Sequence, residues 1–419
     1  MLPWAAVSNG IIRRDELDHV EHALARDIQT IDKEVSSALA DIARVTRLEW
    51  ARLEGQRPRY AGSNARLGDH GLTVRPPVLR VTLDDGSSGF GPSNVSREQA
   101  ADLLGQPMDV LFVPEIGATG PGLLADFALW DLAAKRAGLP VYALAARGTS
   151  ARVDAPFRVP CYDTSLYFDD LHLSSKEEAA ALIAAEARSG YERGHRAFKI
   201  KVGRGARHLP LEEGTQRDIA VIRAVREAVG PKPPLLIDAN NGYNLNLTKR
   251  VLAETAACRL YWLEEPFHED GVLYRALKEW LAKEGLSILI ADGEGQASPS
   301  LLAWAKDGLI DAVQYDILGY GFTRWLATGR QLDEIGVWSA PHHYGGHVGN
   351  YTSGHLAGVL HHFAMVEWDE ATTPGLDASG YTLQDGRVAL PNTPGFGLHL
   401  DEAIFRQIVT TSGWELSEQ

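Results

Sequence analysis

Beyond residue 190, seven short apolar runs each end in a side chain able to hold a metal or move a proton. They are Lys201, Asp238, Glu264, Glu294, Asp316, His342 and Glu367, spaced by 37, 26, 30, 22, 26 and 25 residues. One charge after an apolar run is ordinarily a solvated loop residue or a helix cap. Seven in series imply a place where they meet, and like charges crowded there need a cation or specific pairing. Asp238, Glu264 and Glu294 offer only hard oxygen ligands, which suits Mg²⁺ better than Zn²⁺. His342, His343 and His347 lie in a Gly-rich stretch without HExxH spacing, so zinc is the weaker reading. Lys199 and Lys201 alternate with Ile200 and therefore point to one side of a strand. A lysine crowded by a second cation and Mg²⁺ has a lowered pKa and becomes usable as a base. Asp316, one strand before His342, suits a carboxylate that orients an imidazole for acid/base work. Either His342 or His343 could face the site.

These residues need elements that converge on one mouth. The runs FRVPCY (157–162), AFKIK (197–201), PLLID (234–238), LYWLE (260–264), ILIADGE (288–294), DAVQYD (311–316), VWSAPH (337–342) and FAMVE (363–367) alternate with helix-length amphipathic segments. Strands separated by helices imply right-handed βαβ crossovers and a parallel sheet, and eight units fit a closed (β/α)8 barrel in an α/β chain. A doubly wound open sheet is the runner-up, weakened by the lack of GxGxxG after a first strand. Before the barrel the pattern is α+β. Residues 13–40 carry one apolar helix face, which predicts an amphipathic helix, and 42–53 is ambiguous between helix and strand. Residues 54–77 read as a polar loop bearing Arg57, Arg59 and Arg66, and 78–85 as a strand entering a turn. Ser96 to Gln99 has capping-box form, and 122–137 is a predicted helix ending at Gly138.

The chain has 419 residues and a formal net charge of −14, with 45% hydrophobic and 23% charged residues. Disorder, collagen and coiled coil are excluded as the main theme, and two domains are expected. The acidic balance argues against nucleic acid and anionic membranes as partners. No apolar run is long enough to cross a bilayer and no basic signal-peptide start is present, so a cytoplasmic protein is expected. Cys161 and Cys258 are too few for a disulfide framework and are expected to be buried packing residues.

Through Lys199-Ile-Lys201, Asp238-Ala-Asn240, Trp262-Leu-Glu-Glu-Pro266, Gly293-Glu294, Asp316 with Thr323, Pro341-His342 and Glu367, the sequence resembles the enolase superfamily, mandelate racemase subgroup, over roughly residues 42–405. The resemblance implies a (β/α)8 barrel with an N-terminal α+β capping domain completed by C-terminal residues. The expected divisions are 1–153 for the cap with 1–41 as a helical extension, 154–370 for the barrel, and 371–419 for the return to the cap. It makes Asp238, Glu264 (rather than Glu265) and Glu294 the Mg²⁺ ligands and Lys201 the base. Lys199 would neutralise the substrate carboxylate, His342 with Asp316 would be the second acid/base, and Glu367 would hydrogen-bond the enolate. Tyr162, Thr164, Asn240, Arg57, Arg59 and Arg66 are the expected substrate-binding residues. The implied reaction is removal of an α-proton of a carboxylate, leading to dehydration of a sugar acid to a 2-keto-3-deoxy acid. Racemisation or epimerisation comes second and cycloisomerisation third. A class I (Schiff-base) aldolase and a non-catalytic binding barrel are the rivals from other classes. A small-molecule sugar acid is the expected partner, in a homo-oligomer. The segment from Asp316 to Thr323 is one residue shorter than the family pattern, and Gly321-Phe322 stands where Gly-Gly is usual.

Overall fold

The computed structural model describes residues 43–147 and 157–418. The helix expected over 13–40, the extension 1–41 and the boundary at 153/154 lie outside the described residues. The ambiguous stretch after residue 42 is a strand, β1 (Val45–Arg52), because Val45, Leu48 and Ala51 go to the core. The expected polar loop 54–77 is instead largely a hairpin. β2 (Gly55–Ala61) pairs antiparallel with β3 (Gly71–Val74). Its polar residues suggested a loop, yet its two strands satisfy each other's backbone groups, and Gln56 bridges to Thr372 beyond the barrel. β4 (Pro77–Leu83) runs between β1 and β5 (Ser88–Pro92), turning at Gly86, whose φ of 83° lies in the left-handed region. The C-terminal strand Trp414–Ser417 pairs with the other side of β1, so the end of the described chain completes the cap sheet.

Ser96 and Gln99 form the reciprocal capping box, and the helix expected over 122–137 starts as a 3-10 turn, Gly120–Ala125, continuing as an α-helix over Asp126–Arg136. A small hairpin, β6 (Phe112–Val113) and β7 (Gly117–Ala118), precedes it. The eight apolar runs all become strands of one parallel sheet: β8 (Arg158–Leu166), β9 (Phe198–Lys201), β10 (Leu235–Asp238), β11 (Trp262–Glu264), β12 (Leu289–Asp292), β13 (Ala312–Val313), β14 (Trp338–Ser339) and β15 (Val366–Trp368). Each pairs with its successor from β8 to β14, β15 pairs with β8, and a parallel bridge between Ser339 and Phe363 joins the last two strands. The sheet therefore closes. Period-two alternation divides it into two faces: Phe198, Ile200, Leu235, Ile237, Leu263 and Ile290 pack outward under the helices, while Leu236, Trp262, Ala291, Ala312 and Met365 fill the lumen. Among the described residues no helix is long and apolar enough to cross a membrane.

Candidate active site

The lumen-facing positions one step above the apolar layer carry the chemistry. Register sets Lys201 beside Asp238, and Asp238 beside Glu264, on adjacent strands β9, β10 and β11. Glu294 arrives differently. It lies two residues past β12, and Gly293, at φ 121°, turns the chain toward the axis where an added Cβ would stand 2.7 Å from Leu301. Oxygen atoms of Asp238, Glu264 and Glu294 lie within 4.8 Å of one another, all three residues buried.

Two lysines balance these carboxylates. Lys199 Nζ is 2.8 Å from Glu264 Oε1, 2.9 Å from Glu367 Oε1 and 3.8 Å from Asp238 Oδ2, and Lys201 Nζ is salt-bridged to Asp238 Oδ2. Burial disfavours both ammonium groups, but the carboxylates outweigh it: Glu264, Glu367 and Asp238 hold Lys199 well above its ordinary pKa, and Asp238 holds Lys201 above its own. Asp238 at contact distance is what raises Lys201, while the neighbouring Lys199 cation acts in the opposite direction. A divalent cation sharing Asp238 would weaken that hold. Burial and repulsion from Asp238 push the Glu264 carboxyl up to about 7, whereas Glu294, despite burial, is held low by His342 and Lys201.

On the other flank His342 Nε2 lies 3.0 Å from Glu294 Oε2 and 3.9 Å from Glu367 Oε2, while its Nδ1 is 3.3 Å from Asp316 Oδ2. This resolves the choice between the neighbouring histidines. The ring of His343 is buried with neither nitrogen hydrogen-bonded, and only its backbone N–H reaches the site, donating to Glu367 Oε2 at 2.8 Å. Burial works against the His342 cation, but Glu294, Glu367 and Asp316 raise it to about 10, so an imidazolium is held here. The short segment after Asp316 leaves that residue in place: its Oδ1 caps the helix Ile317–Tyr320 by accepting from Leu318 and Gly319, which frees Oδ2 for His342. Thr323 belongs to the scaffold, accepting from Trp130 Nε1 and the Ala118 N–H.

The residues expected to bind substrate divide. Arg66, at the tip of the β2–β3 hairpin, reaches Glu294 Oε1 at 2.9 Å with its side chain partly exposed. Arg57 and Arg59 pair with carboxylates outside the triad. Arg57 pairs with Asp369 at 3.2 Å and lies over the Tyr344 ring, while Arg59 is held by Asp169, Glu186 and Ser165. Tyr162 is sealed in the lumen layer, with Lys199 Nζ 5.3 Å from its ring centre. Thr164 donates to Glu367 Oε1 at 2.7 Å. Asn240 uses its backbone N–H on Asp238 and its amide on Glu265 Oε2 at 3.1 Å and Glu294 Oε1 at 3.2 Å. In this structure these three support the charged residues. Sequence reasoning weighed Glu265 only as a rival ligand to Glu264 and gave it no further task. Glu265, Asn240 and Asn241 all have positive φ, a concentration of backbone strain at the mouth that no residue pattern announces. Burial and repulsion from Glu294 and Asp238 push the Glu265 carboxyl up to about 10.

The triad fits a hard divalent cation. Its donors are all carboxylate oxygens, and Glu264 Oε2 is buried without a hydrogen-bond partner, an orphan acceptor that a cation would satisfy.

Two lysines, a histidine and a carboxylate triad thus meet at the C-terminal strand ends of a closed barrel, the end at which barrel active sites lie. The family model described as enolase C-terminal domain-like matches residues 182–404, and the chain belongs to that family, within the mandelate racemase type of the enolase superfamily. The chain is similar to a galacturonate dehydratase from Geobacillus sp. whose structure is complexed with D-galacturonate and 5-keto-4-deoxy-D-galacturonate. The identity is 47%, the TM-score is 0.85, and the match covers 89% of this chain and 98% of that one. A variant of that enzyme complexed with Mg gives 46% identity and a TM-score of 0.87 over 90% of this chain and 97% of the other. The arabinonate dehydratase of Saccharolobus solfataricus is 25% identical, with 67% of this chain and 70% of that protein covered. The D-galactarolactone cycloisomerase of Agrobacterium fabrum is 27% identical, with 77% and 88% covered.

Proposed function

We propose that this protein is a Mg²⁺-dependent hydro-lyase that dehydrates a sugar acid, with a hexuronate as the first substrate class to test. The observation that carries the reading is that a lysine and a histidine bracket the triad, Lys201 on Asp238 and His342 on Glu294. Mg²⁺ held by Asp238, Glu264 and Glu294 would supply charge stabilisation for the substrate carboxylate as its α-carbon is deprotonated. Every other function falls to side chains of this chain. Lys199 places a buried positive charge beside the carboxylate site, and a neutral Lys201 takes the α-proton. The electron pair left on the α-carbon forms the Cα–Cβ double bond as the β-hydroxyl leaves. His342, with Asp316 on its Nδ1, gives the departing hydroxyl a proton, so that water is lost and an enol remains. The enol tautomerises to the keto acid deoxygenated at Cβ. Glu367 is fixed by Lys199, Thr164 and two backbone amides, from His343 and Tyr344, and helps to hold the Lys199 ammonium in place. The likeness to galacturonate and arabinonate dehydratases supports dehydration.

The reading is tested by incubating uronates, aldonates and aldarates with enzyme and Mg²⁺ and following the keto-deoxy product by NMR. Dehydration of at least one acid, lost on chelation, is expected. An acid that is epimerised or whose lactone is isomerised without loss of water would instead favour the second reading, an isomerase, which the cycloisomerase relative supports.

A further inference from the structure

Both lysines of the mouth face a tyrosine ring supplied by β8 or the residue after it. Lys199 Nζ lies 5.3 Å from the ring centre of Tyr162, and Lys201 Nζ lies 5.3 Å from that of Tyr167, which directly follows β8. Tyr162 belongs to the apolar lumen layer, but Tyr167 is part of a different arrangement. Its ring stacks on Tyr344 with 4.7 Å between centres and 26° between planes, and the Arg57 guanidinium lies 4.7 Å over the Tyr344 ring. Each ring of the pair therefore has a cation over it, the placement that the negative face of an aromatic ring favours. The pair is also anchored. Tyr344 donates its N–H to Glu367 Oε2 at 3.1 Å, Phe168 donates its own to Ser63 O at 2.9 Å, and the His70 ring meets both tyrosines edge-on. Tyr167 is 1% exposed, and the buried Tyr344 hydroxyl makes no hydrogen bond, so at Tyr344 it is the ring that is used.

A lysine is a point charge on a flexible four-carbon stem. Contact with Asp238 sets how far Lys201 Nζ stands from one oxygen, but not its direction around that oxygen. Asp238 also belongs to the triad, and a divalent cation on it would loosen the contact, whereas a ring face offers Mg²⁺ no hard oxygen donor. The Tyr167 ring is thus the partner of Lys201 that metal binding leaves in place. Resting on the reading of Lys201 as the base, we propose that Tyr167 is a positioning residue, whose ring face holds the Lys201 side chain in its working direction while Asp238 is shared with Mg²⁺.

The test uses the full-length protein, with and without Mg²⁺, as wild type, Tyr167→Phe and Tyr167→Leu. Lysine labelled at its ε-carbon gives an NMR signal for Lys201, assigned by its loss in Lys201→Ala, and the ring current of a tyrosine face shifts such a signal upfield. We expect the upfield signal in wild type and Tyr167→Phe, kept on adding Mg²⁺, and its return to the position of the other lysines in Tyr167→Leu. With the acid that turns over, Tyr167→Leu should lose about 10- to 100-fold in kcat while KM and Mg²⁺ affinity stay within about twofold of wild type, and Tyr167→Phe should retain most of kcat. Equal losses in the two variants would assign the effect to the hydroxyl and overturn the proposal. An upfield signal that vanishes on adding Mg²⁺, or an unchanged kcat in Tyr167→Leu, would overturn it as well. Joint loss of kcat, Mg²⁺ affinity and melting temperature in Tyr167→Leu would make Tyr167 a packing residue. A wild type that shows the upfield signal but turns over no acid would instead refute Lys201 as base, and with it the task given to Tyr167.

Discussion

Glu264 and Glu265 are adjacent in sequence and both buried, yet the structure gives them unlike tasks, and replacing each with Gln separates those tasks. Glu264 is a member of the triad, whereas Glu265 touches it through go-between side chains: the Asn240 amide, 3.1 Å from Glu265 Oε2 and 3.2 Å from Glu294 Oε1, and Arg66, 4.0 Å from Glu265 Oε1 and 2.9 Å from Glu294 Oε1. Glu264→Gln removes one of three anionic donors. It leaves Lys199 paired with Glu367 at 2.9 Å, so no buried charge is stranded and the fold should persist. Loss of a direct ligand should exceed the roughly 10- to 100-fold effect typical of residues acting behind the ligands, so an affinity loss of more than about 100-fold is expected, on the order of 3 kcal/mol. Glu265→Gln keeps an acceptor for Asn240 and should weaken Mg²⁺ by about tenfold or less. Titration calorimetry with Mg²⁺ on the three proteins, each checked by circular dichroism, reads this without reference to turnover. If Glu264→Gln binds within tenfold of wild type, or Glu265→Gln loses as much as Glu264→Gln, the ligand assignment is wrong.

Thr164→Val removes one of the bonds that fix Glu367 while Lys199 and two amides remain, so kcat should fall about tenfold with little change in Mg²⁺ affinity; steady-state kinetics decide, and an unchanged kcat would remove Thr164 from the support of Glu367. Arg66→Ala should raise KM for the acid and leave the melting temperature nearly unchanged, since the side chain is partly exposed. Arg57→Ala should instead strand the buried Asp369 carboxylate and destabilise the protein by about 3 kcal/mol or more, measured by denaturant unfolding; a stable Arg57→Ala with a raised KM would return that residue to substrate binding. In the cap, Arg80→Met should be destabilising by leaving Glu49, at 1% exposure, with only the longer Arg47 contact at 3.4 Å, whereas Glu49→Met with Arg80→Met should recover most of the loss.

What the sequence made legible was whatever depends on period and position along a strand. Lys199 and Lys201 had to share a face because Ile200 separates them, and Asp238 and Glu264 had to be neighbours once β10 and β11 paired in parallel. Asp238 and Glu264 followed from that arithmetic; Glu294, two residues past β12, reaches the site through the turn at Gly293. The selection of His342 over His343 was not legible, because both lie past the end of β14, where a single bridge from His342 to Asp316 holds the chain and no run of alternation marks its direction. Nor were the fates of Arg57 and Arg59, whose partners Asp369 and Asp169 stand 312 and 110 residues away. Polar strands such as β2 conceal their pairing, since GQRPRYA lacks the β-branched and apolar alternation that marks a half-buried strand. The pairing at Lys201 has the same origin: spacing places two cations together, but only the side-chain geometry reveals that Asp238 lies in contact.

Whether Lys201 and His342 work as base and acid can be read from solvent deuterium. The sugar acid that turns over is incubated in D₂O with Mg²⁺ and with wild type, Lys201→Ala or His342→Asn, and the α-position is followed by NMR. His342→Asn keeps Lys201, Lys199 and the triad, so it should exchange the α-proton while forming no dehydrated product; Lys201→Ala should do neither with the same stereoisomer. Undiminished turnover in both variants would contradict the two-residue mechanism.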